Sequence, residues 1–529
     1  MPLLRWRIAD DDDEPVAVQR HGFAGKPPMN RTNRRWYSGM ASTEDWWSVW
    51  LGLFLFGVSL ISIWGLDLVG WMARPRPWEW TNLTSDFSFA GILRPAGAAY
   101  AEWHPLALWL TTYVVFTGLL TIGAWFQGLN LRRFISGFTV LFLVTWACWL
   151  VGNEMHLATI DATQSGSNPY AENGLGWGLQ LGDGAAYLLA LTAGLVIGNF
   201  AKGLAAFLKE AAKPEWFIKT AIVFLGIKLG VMTVDATSFA LDLILTGAAA
   251  TFVAYLFFWP IVYAMARRLF KLGRDSSAVL ASGISICGVS AAIATAGAIR
   301  ARPVIPVTVS MLVVIFAMFE LIILPGVYTA FAPDEPIVNG AAMGMTVKTD
   351  GADAAAGALL DELMIGQHLQ TAGEQWEEGW ILSAALLTKI WIDVFIGIWA
   401  FLLALIWVYK VERRPGQVSI SPMEIWFRFP KFVIGYFVAW LGYVALAAGF
   451  PDHIAAAEVG ANTVQSPMRH LMFMLTFVSM GVMTDFSKLK GMGRLAALYA
   501  VALVVVIAPI AYVVAWLFHR GLTPPIVTP

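Results

Sequence analysis

From Trp46 to Phe518 the chain keeps returning to apolar runs of about 20 residues, the length that crosses a bilayer core of about 30 Å. Lipid leaves few folds open, because every backbone N–H and C=O must find its partner inside the protein; only helices and closed barrels satisfy that demand. Runs of this length select helices. Composition agrees, with 58% of 529 residues hydrophobic and 13% charged, against about 25% charged in soluble domains. The expected fold is all-α and polytopic, with about thirteen spans. They fall near residues 46–72, 105–126, 134–152, 184–208, 216–234, 237–266, 277–299, 304–332, 341–360, 380–409, 431–450, 467–486 and 494–518.

Residues 1–45 are polar, with an acidic run from Asp10 to Glu14 and basic Arg31, Arg34 and Arg35, and read as a disordered cytosolic tail. The span at Trp46 begins too late and runs too long for a signal peptide, so it stays as an anchor. Residues 46–183 form a three-helix extension, 184–332 and 333–518 two five-helix sets, and 519–529 a short tail. Lys and Arg collect in cytosolic loops. Here they gather at Arg132 and Arg133, Lys209 and Lys213, Arg267 to Arg274, Lys410 to Arg414, and Lys488 to Arg494, whereas 153–183, 361–379 and 451–466 have none. This places the N-terminus in the cytosol and the C-terminus outside. Arg74, Arg76 and Arg94, and Arg300 with Arg302, run against the pattern.

Parity requires the doubtful span 341–360, and with it the two sets enter the membrane from opposite sides, as in an inverted repeat. Weak echoes support this: Lys219 precedes Gly226 in one helix as Lys389 precedes Gly397 in another. In that pairing 277–299 corresponds to 467–486.

One stretch is poorly built as an ordinary span. Ser282, Gly283, Ser285, Gly288, Ser290 and Gly297 interrupt the seventh, and loosened backbone inside lipid is tolerated where it is buried or lines a watery cavity. Two interrupted helices are therefore expected, one broken at Cys287-Gly288-Val289-Ser290. A half-helix starting at Val289 presents free amides that favour an anion, and Ser285 and Ser290 add hydroxyls. The alternatives are a small-residue helix packed tightly and serines bonded back to their own helix. In the twelfth span Gly481 and Thr484 take the corresponding place, and Asp485 coordinates a cation, accepts a proton or caps the stretch from Ser487 to Gly491.

Ionisable groups inside spans mark function by default. Lys228 is a candidate anion contact or a snorkelling lysine. Lys389 and Asp393, four apart, can pair. Asp350 and Asp353 share a face beside Lys348 and can hold a proton or sodium ion; a solvated segment is the bland reading. Glu320 also lies within a span. The net charge of −1 offers no field for nucleic acid, and Cys148 and Cys287, both in apolar segments, support neither a disulfide nor a zinc site. No P-loop, dinucleotide fingerprint or His-Glu-x-x-His pair occurs, so no cofactor, metal or enzymatic activity is expected.

The motif Ser282-Gly-Ile-Ser-Ile-Cys-Gly-Val-Ser-Ala-Ala292 resembles the signature of a family of bacterial inner-membrane proteins classed as sulfate exporters (the YeiH type). Lys219 to Leu229 is similar to another segment of that family, with Lys219 and Lys228 where arginine is usual. Phe429 to Gly435 and Met480 to Phe486 resemble two more. Thr349-Asp350 stands where the family has His-Glu, Asp353 where it has Gln, and Lys389-Ile-Trp-Ile where it has Lys-x-Thr-Arg. The resemblance covers about 184–518. It implies a fold like that of sodium/proton antiporters and bile-acid symporters, with two interrupted crossing helices forming the site, and export of sulfate or a related anion.

The expectation is a secondary active transporter of a small inorganic or sulfonated anion, working by alternating access in the bacterial inner membrane and coupled to a proton or sodium ion. The substrate side is assigned to Ser285, Cys287, Gly288, Val289, Ser290, Lys228, Gly481 and Thr484, and ion coupling to Asp350, Asp353, Asp485 and Lys389. A static panel of the fourth, fifth, ninth and tenth spans is where a homodimer would form. The rivals are a cation/proton antiporter or sodium-coupled organic-anion symporter, and a non-transporting scaffold or sensor.

Overall fold

The computed structural model describes residues 39–79, 92–159, 172–182, 184–299, 301–302, 304–407, 426, 430–489 and 492–527. Most of the expected tail, the basic loop at Lys410 to Arg414, and Arg300 lie outside the described residues. Among them, eight helices are long and apolar enough to cross a membrane, or nine if one bent pair is a single span. The protein is a mostly helical, multi-pass membrane protein.

The front section is α1 (Glu44–Ser59), α2 (Pro105–Phe126) and α3 (Leu131–Gly152), with a two-stranded hairpin, β1 (Ala73–Pro75) on β2 (Leu93–Pro95), between α1 and α2. Thr43 caps α1 by accepting from the Trp46 amide, and Asn130 caps α3 through Arg133. The remainder comprises α4 (Gly184–Phe200), α5 (Lys202–Leu208), α6 (Pro214–Asp235), α7 (Thr237–Arg268), α8 (Arg274–Ser285), α9 (Val289–Ala298), α10 (Val304–Phe331), α11 (Pro336–Thr346), α12 (Asp350–Ala372), α13 (Trp380–Ile406), α14 (Phe432–Gly449), α15 (Ile454–Thr463), α16 (Arg469–Met483), α17 (Gly493–Ala502) and α18 (Ala508–His519). The expected span 184–208 bends by 113° between α4 and α5.

The front section lies on this body, with α1 against α6 and α14 and α3 against α4. Its docking is ionic as well as apolar. Asp45 pairs with Lys219 at 2.8 Å and accepts from the Lys431 amide, while Glu44 faces Lys213 at 3.4 Å.

Two of the thirteen expected spans do not cross. Thr295 Oγ1 donates to Ser282 Oγ at 2.7 Å although the two lie 13 residues apart, a separation of about 20 Å along a straight helix. Helices α8 and α9 are therefore the two arms of a hairpin turning at Ile286 to Gly288. Gly288 sits at φ 65°, ψ −109°, a region closed to side chains. A Cβ there would also lie 2.5 Å from Val313 and 2.7 Å from the Lys348 carbonyl oxygen.

Helices α11 and α12 form the second hairpin. Asn339 Nδ2 reaches Met364 Sδ at 3.4 Å across 25 residues, where a straight helix would separate them by about 37 Å. The turn is Val347 to Thr349, and Thr349 caps α12 by accepting from the Ala352 amide. Helix α10 crosses once between the hairpins, so they enter from opposite ends of the bundle. Contacts at each end agree. Trp407 Nε1 donates to Asp275 at the mouth of the first hairpin, and Gly521 N donates to Glu335 at the mouth of the second.

The second interruption is thus in 336–372 and not in 467–486, where the pairing of spans put it. From Ile454 to Met483 the chain stays helical, absorbing Pro467 in a π turn at Val464–Met468. Such a turn accommodates the missing N–H of a proline without ending the helix. The two breaks stand fourth in the first set and first in the second, so their order does not match the expected repeat.

Candidate functional site

The hairpin tips meet. Gly288 lies against the Lys348 carbonyl so closely that hydrogen is the only side chain that fits, and Lys389 Nζ on α13 donates to the carbonyls of both Ile286 and Val347 at 3.4 Å. These are the last carbonyls of α8 and α11, which have no partner within their helices. A cation at C-terminal ends matches their partial negative charge. The opposite ends, at Val289 and Asp350, turn their first amides toward the same place.

Charged side chains converge on the tips from three helices, α10, α12 and α13, and from Lys348 in the turn of the second hairpin. Lys348 and Asp353 are fully buried, and Lys389, Asp393 and Glu320 keep 2% exposure each. Lys389 lies 3.9 Å from Asp350. Asp393 is in electrostatic contact with Asp350, Lys389 and Cys287. Glu320 on α10 accepts from the Lys348 amide at 3.3 Å and from the Tyr499 hydroxyl at 2.9 Å. The Lys348 ammonium donates to the Met345 carbonyl and sits 5.1 Å from the Phe258 ring centre.

Asp350 and Asp353 occupy the first turn of α12, where carboxylates are favoured by the helix dipole. That accounts for Asp350, which is partly exposed. It does not account for Asp353, whose two carboxylate oxygens are buried without a hydrogen-bond partner. Four carboxyls (Glu320, Asp350, Asp353 and Asp393) face two ammonium groups (Lys348 and Lys389). Buried charge without compensation costs several kcal/mol per ion by rough estimate, so an excess of carboxyls in such a place favours protonation or a cation.

The expected residues divide into two groups. Ser285, Cys287, Gly288, Val289, Asp350, Asp353 and Lys389 are brought together at the tips, and Ser285 Oγ is buried with no partner. Ser290 is at the same turn, but its side chain is exposed, as are Ile293 and Gly297. That spacing puts all three on the outer face of α9.

The others have different partners. Gly481 provides a close helix crossing, since a Cβ there would strike the backbone of Gly194 and Leu195 on α4. Thr484 donates to the Met480 carbonyl, and its own carbonyl accepts from Asn199. Asp485 accepts from the amide and hydroxyl of Ser487 and pairs with Lys202 at 3.0 Å. The Ser487 and Lys202 hydrogen bonds hold its carboxyl down to about 2. Lys228 lies 4.0 Å from Glu378, which also binds Arg469 at 2.6 Å.

Sequence reasoning missed Tyr499, which carries no signal of its own in an apolar span. It also left Lys348 as a neighbour of the aspartates, where the structure makes its backbone the contact point of the two hairpins.

Residues 179–500 match the family model described as conserved hypothetical protein 698. Over 498 residues the chain is 61% identical to a UPF0324 membrane protein of Nitrosomonas europaea, covering 94% of this chain and 100% of the relative. A UPF0324 membrane protein of Rhodopirellula baltica is 30% identical over 421 residues, 76% of this chain and 67% of the relative. An uncharacterized protein of Archaeoglobus fulgidus is 45% identical over 165 residues, 27% of this chain and 87% of the relative. No solved structure matches.

Proposed function

Since the chain belongs to the conserved hypothetical protein 698 family of UPF0324 membrane proteins, and since its hairpin tips meet around buried charge, we propose that it is a secondary active transporter working by alternating access. The observation that carries this reading is the pair of opposed hairpins with four carboxyls and two lysines at their contact. Irregular backbone held inside a helical bundle is how secondary transporters build a site near the midplane.

The cargo is a small inorganic or sulfonated anion, sulfate being the member suggested by the resemblance of the Cys287-Gly288 motif. Free amides at Val289 and the Lys389 ammonium recognise it. The coupling ion is a proton or sodium ion held by Asp353 with Asp350 and Asp393. The protein resides in the bacterial inner membrane with its N-terminus in the cytosol. A first hairpin that returns to its own side puts Arg302 on the same face as Arg267 and Lys271, which removes one of the two exceptions to the distribution of basic residues.

Purified protein in liposomes, given labelled sulfate, sulfite or an aminosulfonate with and without proton and sodium gradients, tests the reading. Gradient-driven anion flux is expected, lost in Lys389→Met and uncoupled from the gradient in Asp353→Asn. Sodium or proton flux indifferent to anions would reassign the protein as an antiporter, which the surplus of carboxyls favours. A wild-type protein that moves nothing under any gradient would make it a scaffold or sensor.

A further inference from the structure

The carboxylates around the tips do not end in the interior; they continue to one end of the bundle. Glu215, in the first turn of α6, stands 3.3 Å from the position a Cβ on Gly351 would take, so it adjoins the tip of the second hairpin. It interacts electrostatically with Asp350. Side-chain exposure falls along this line, from 45% at Glu215 to 15% at Asp350 and to a fully buried Asp353 whose oxygens have no partner.

Lys219 stands beside the outer member of the series. Its ammonium lies 3.5 Å from Glu215 but 2.8 Å from Asp45 of α1. It is also 5.7 Å from the Phe432 ring centre. Asp45 is fixed in turn by the Lys431 amide at 2.8 Å. The front helix therefore supplies a carboxylate that competes with Glu215 for the Lys219 ammonium.

We infer that Glu215 is the entry carboxylate through which a monovalent cation, proton or sodium ion, reaches the hairpin tips, and that Asp45 of α1 keeps Lys219 from neutralising it. The inference rests on the transport reading and gives the front section a role in it. Glu215 receives the ion at the bundle end, Asp350 passes it inward, and Asp353 retains it. Glu215 and Asp45 set the rate of entry and leave the affinity of the inner site alone.

Entry can be read without transport. Full-length protein with Cys148→Ser keeps Cys287, at the first tip, as its one thiol. In vesicles of known orientation, cationic (trimethylammonium-ethyl) and anionic (sulfonatoethyl) methanethiosulfonate reagents are applied to each face. From the face that bears Glu215, the cationic reagent is expected to label Cys287 about tenfold faster, as charged clefts raise the on-rates of counter-ions. Glu215→Gln should bring the two rates together, and Glu215→Asp should keep them apart. Asp45→Asn should act like Glu215→Gln, and adding Lys219→Met should restore the difference, which a merely misdocked α1 would not allow.

A rate difference untouched by Glu215→Gln, labelling only from the opposite face, or no labelling from either face would overturn the entry path. In the flux assay, Glu215→Gln should slow uptake about tenfold when a dilute ion enters from the Glu215 face, and a saturating ion concentration should restore the wild-type rate; slowing that persists at saturating ion would overturn it. With separate sodium and proton gradients, the slowed gradient identifies the ion. A protein that labels as expected but carries no ion fails the transport reading alone.

Discussion

Gly288 shows how much a single hydrogen atom can decide. Its φ of 65° and ψ of −109° exclude other residues, and the Val313 methyl and the Lys348 carbonyl fill the space where a side chain would begin. Gly288→Ala should cost about 1–3 kcal/mol from backbone strain alone, plus the separation of the tips. A lower midpoint of thermal unfolding in detergent, with loss of flux, is the expected result; an unchanged midpoint would mean that the tips can part freely. This residue was legible in the sequence, because a glycine beside serines inside an apolar span loosens backbone that lipid tolerates only where protein or water covers it. Glu320 and Asp393 were visible as ionisable groups in apolar spans. Their meeting with Lys348 was not, since it depends on helices far apart in the chain.

At the level of elements, hydropathy records how many apolar residues follow one another and says nothing of their direction. Residues 274–298 are long enough for one crossing or for two half-crossings, and the two readings have the same composition. The clue was Arg302, a basic residue at the far end of a segment that already began with Arg274. A paired substitution distinguishes the two readings directly. With the native cysteines replaced, Ser282→Cys and Thr295→Cys should form a disulfide on mild oxidation, since the native oxygens lie 2.7 Å apart and cysteines bridge when their Cα atoms lie within about 7 Å. Mass spectrometry of the intact and reduced protein reads the bond. Its absence would return α8 and α9 to a single crossing. The second break was hidden for another reason: 341–360 is rich in alanine and carries charge, so it scored poorly as a span although it is buried in protein and not in lipid.

For the molecule as a whole, the end of the bundle at the second hairpin's mouth is held by charge as well as by packing. Glu378, between α12 and α13, is shared by Arg469 and Lys228. Burial works to raise its pKa, but Lys228 and Arg469 prevail and hold the carboxyl below the ordinary range. A depressed carboxyl contributes its full stabilisation above the unfolded value, about 4.3 for glutamate, and loses it as pH falls below that. Wild-type protein should therefore lose more stability than Glu378→Gln between about pH 5 and 3, measured as the unfolding midpoint across pH. Parallel curves would show that the ion pair contributes nothing. Lipid as solvent made the overall class readable from hydropathy alone. The sides on which segments begin and end had to come from the few basic residues, and one hairpin mistaken for a crossing reverses everything after it.

The two tips lean on each other through a backbone contact with no room for a methyl group. A fold stoppered in this way has no standing column of water from one face to the other, so its resting electrical leak should be nil. In a planar bilayer it should show no ohmic conductance in any salt, and any current it does carry should saturate with solute as a turnover does.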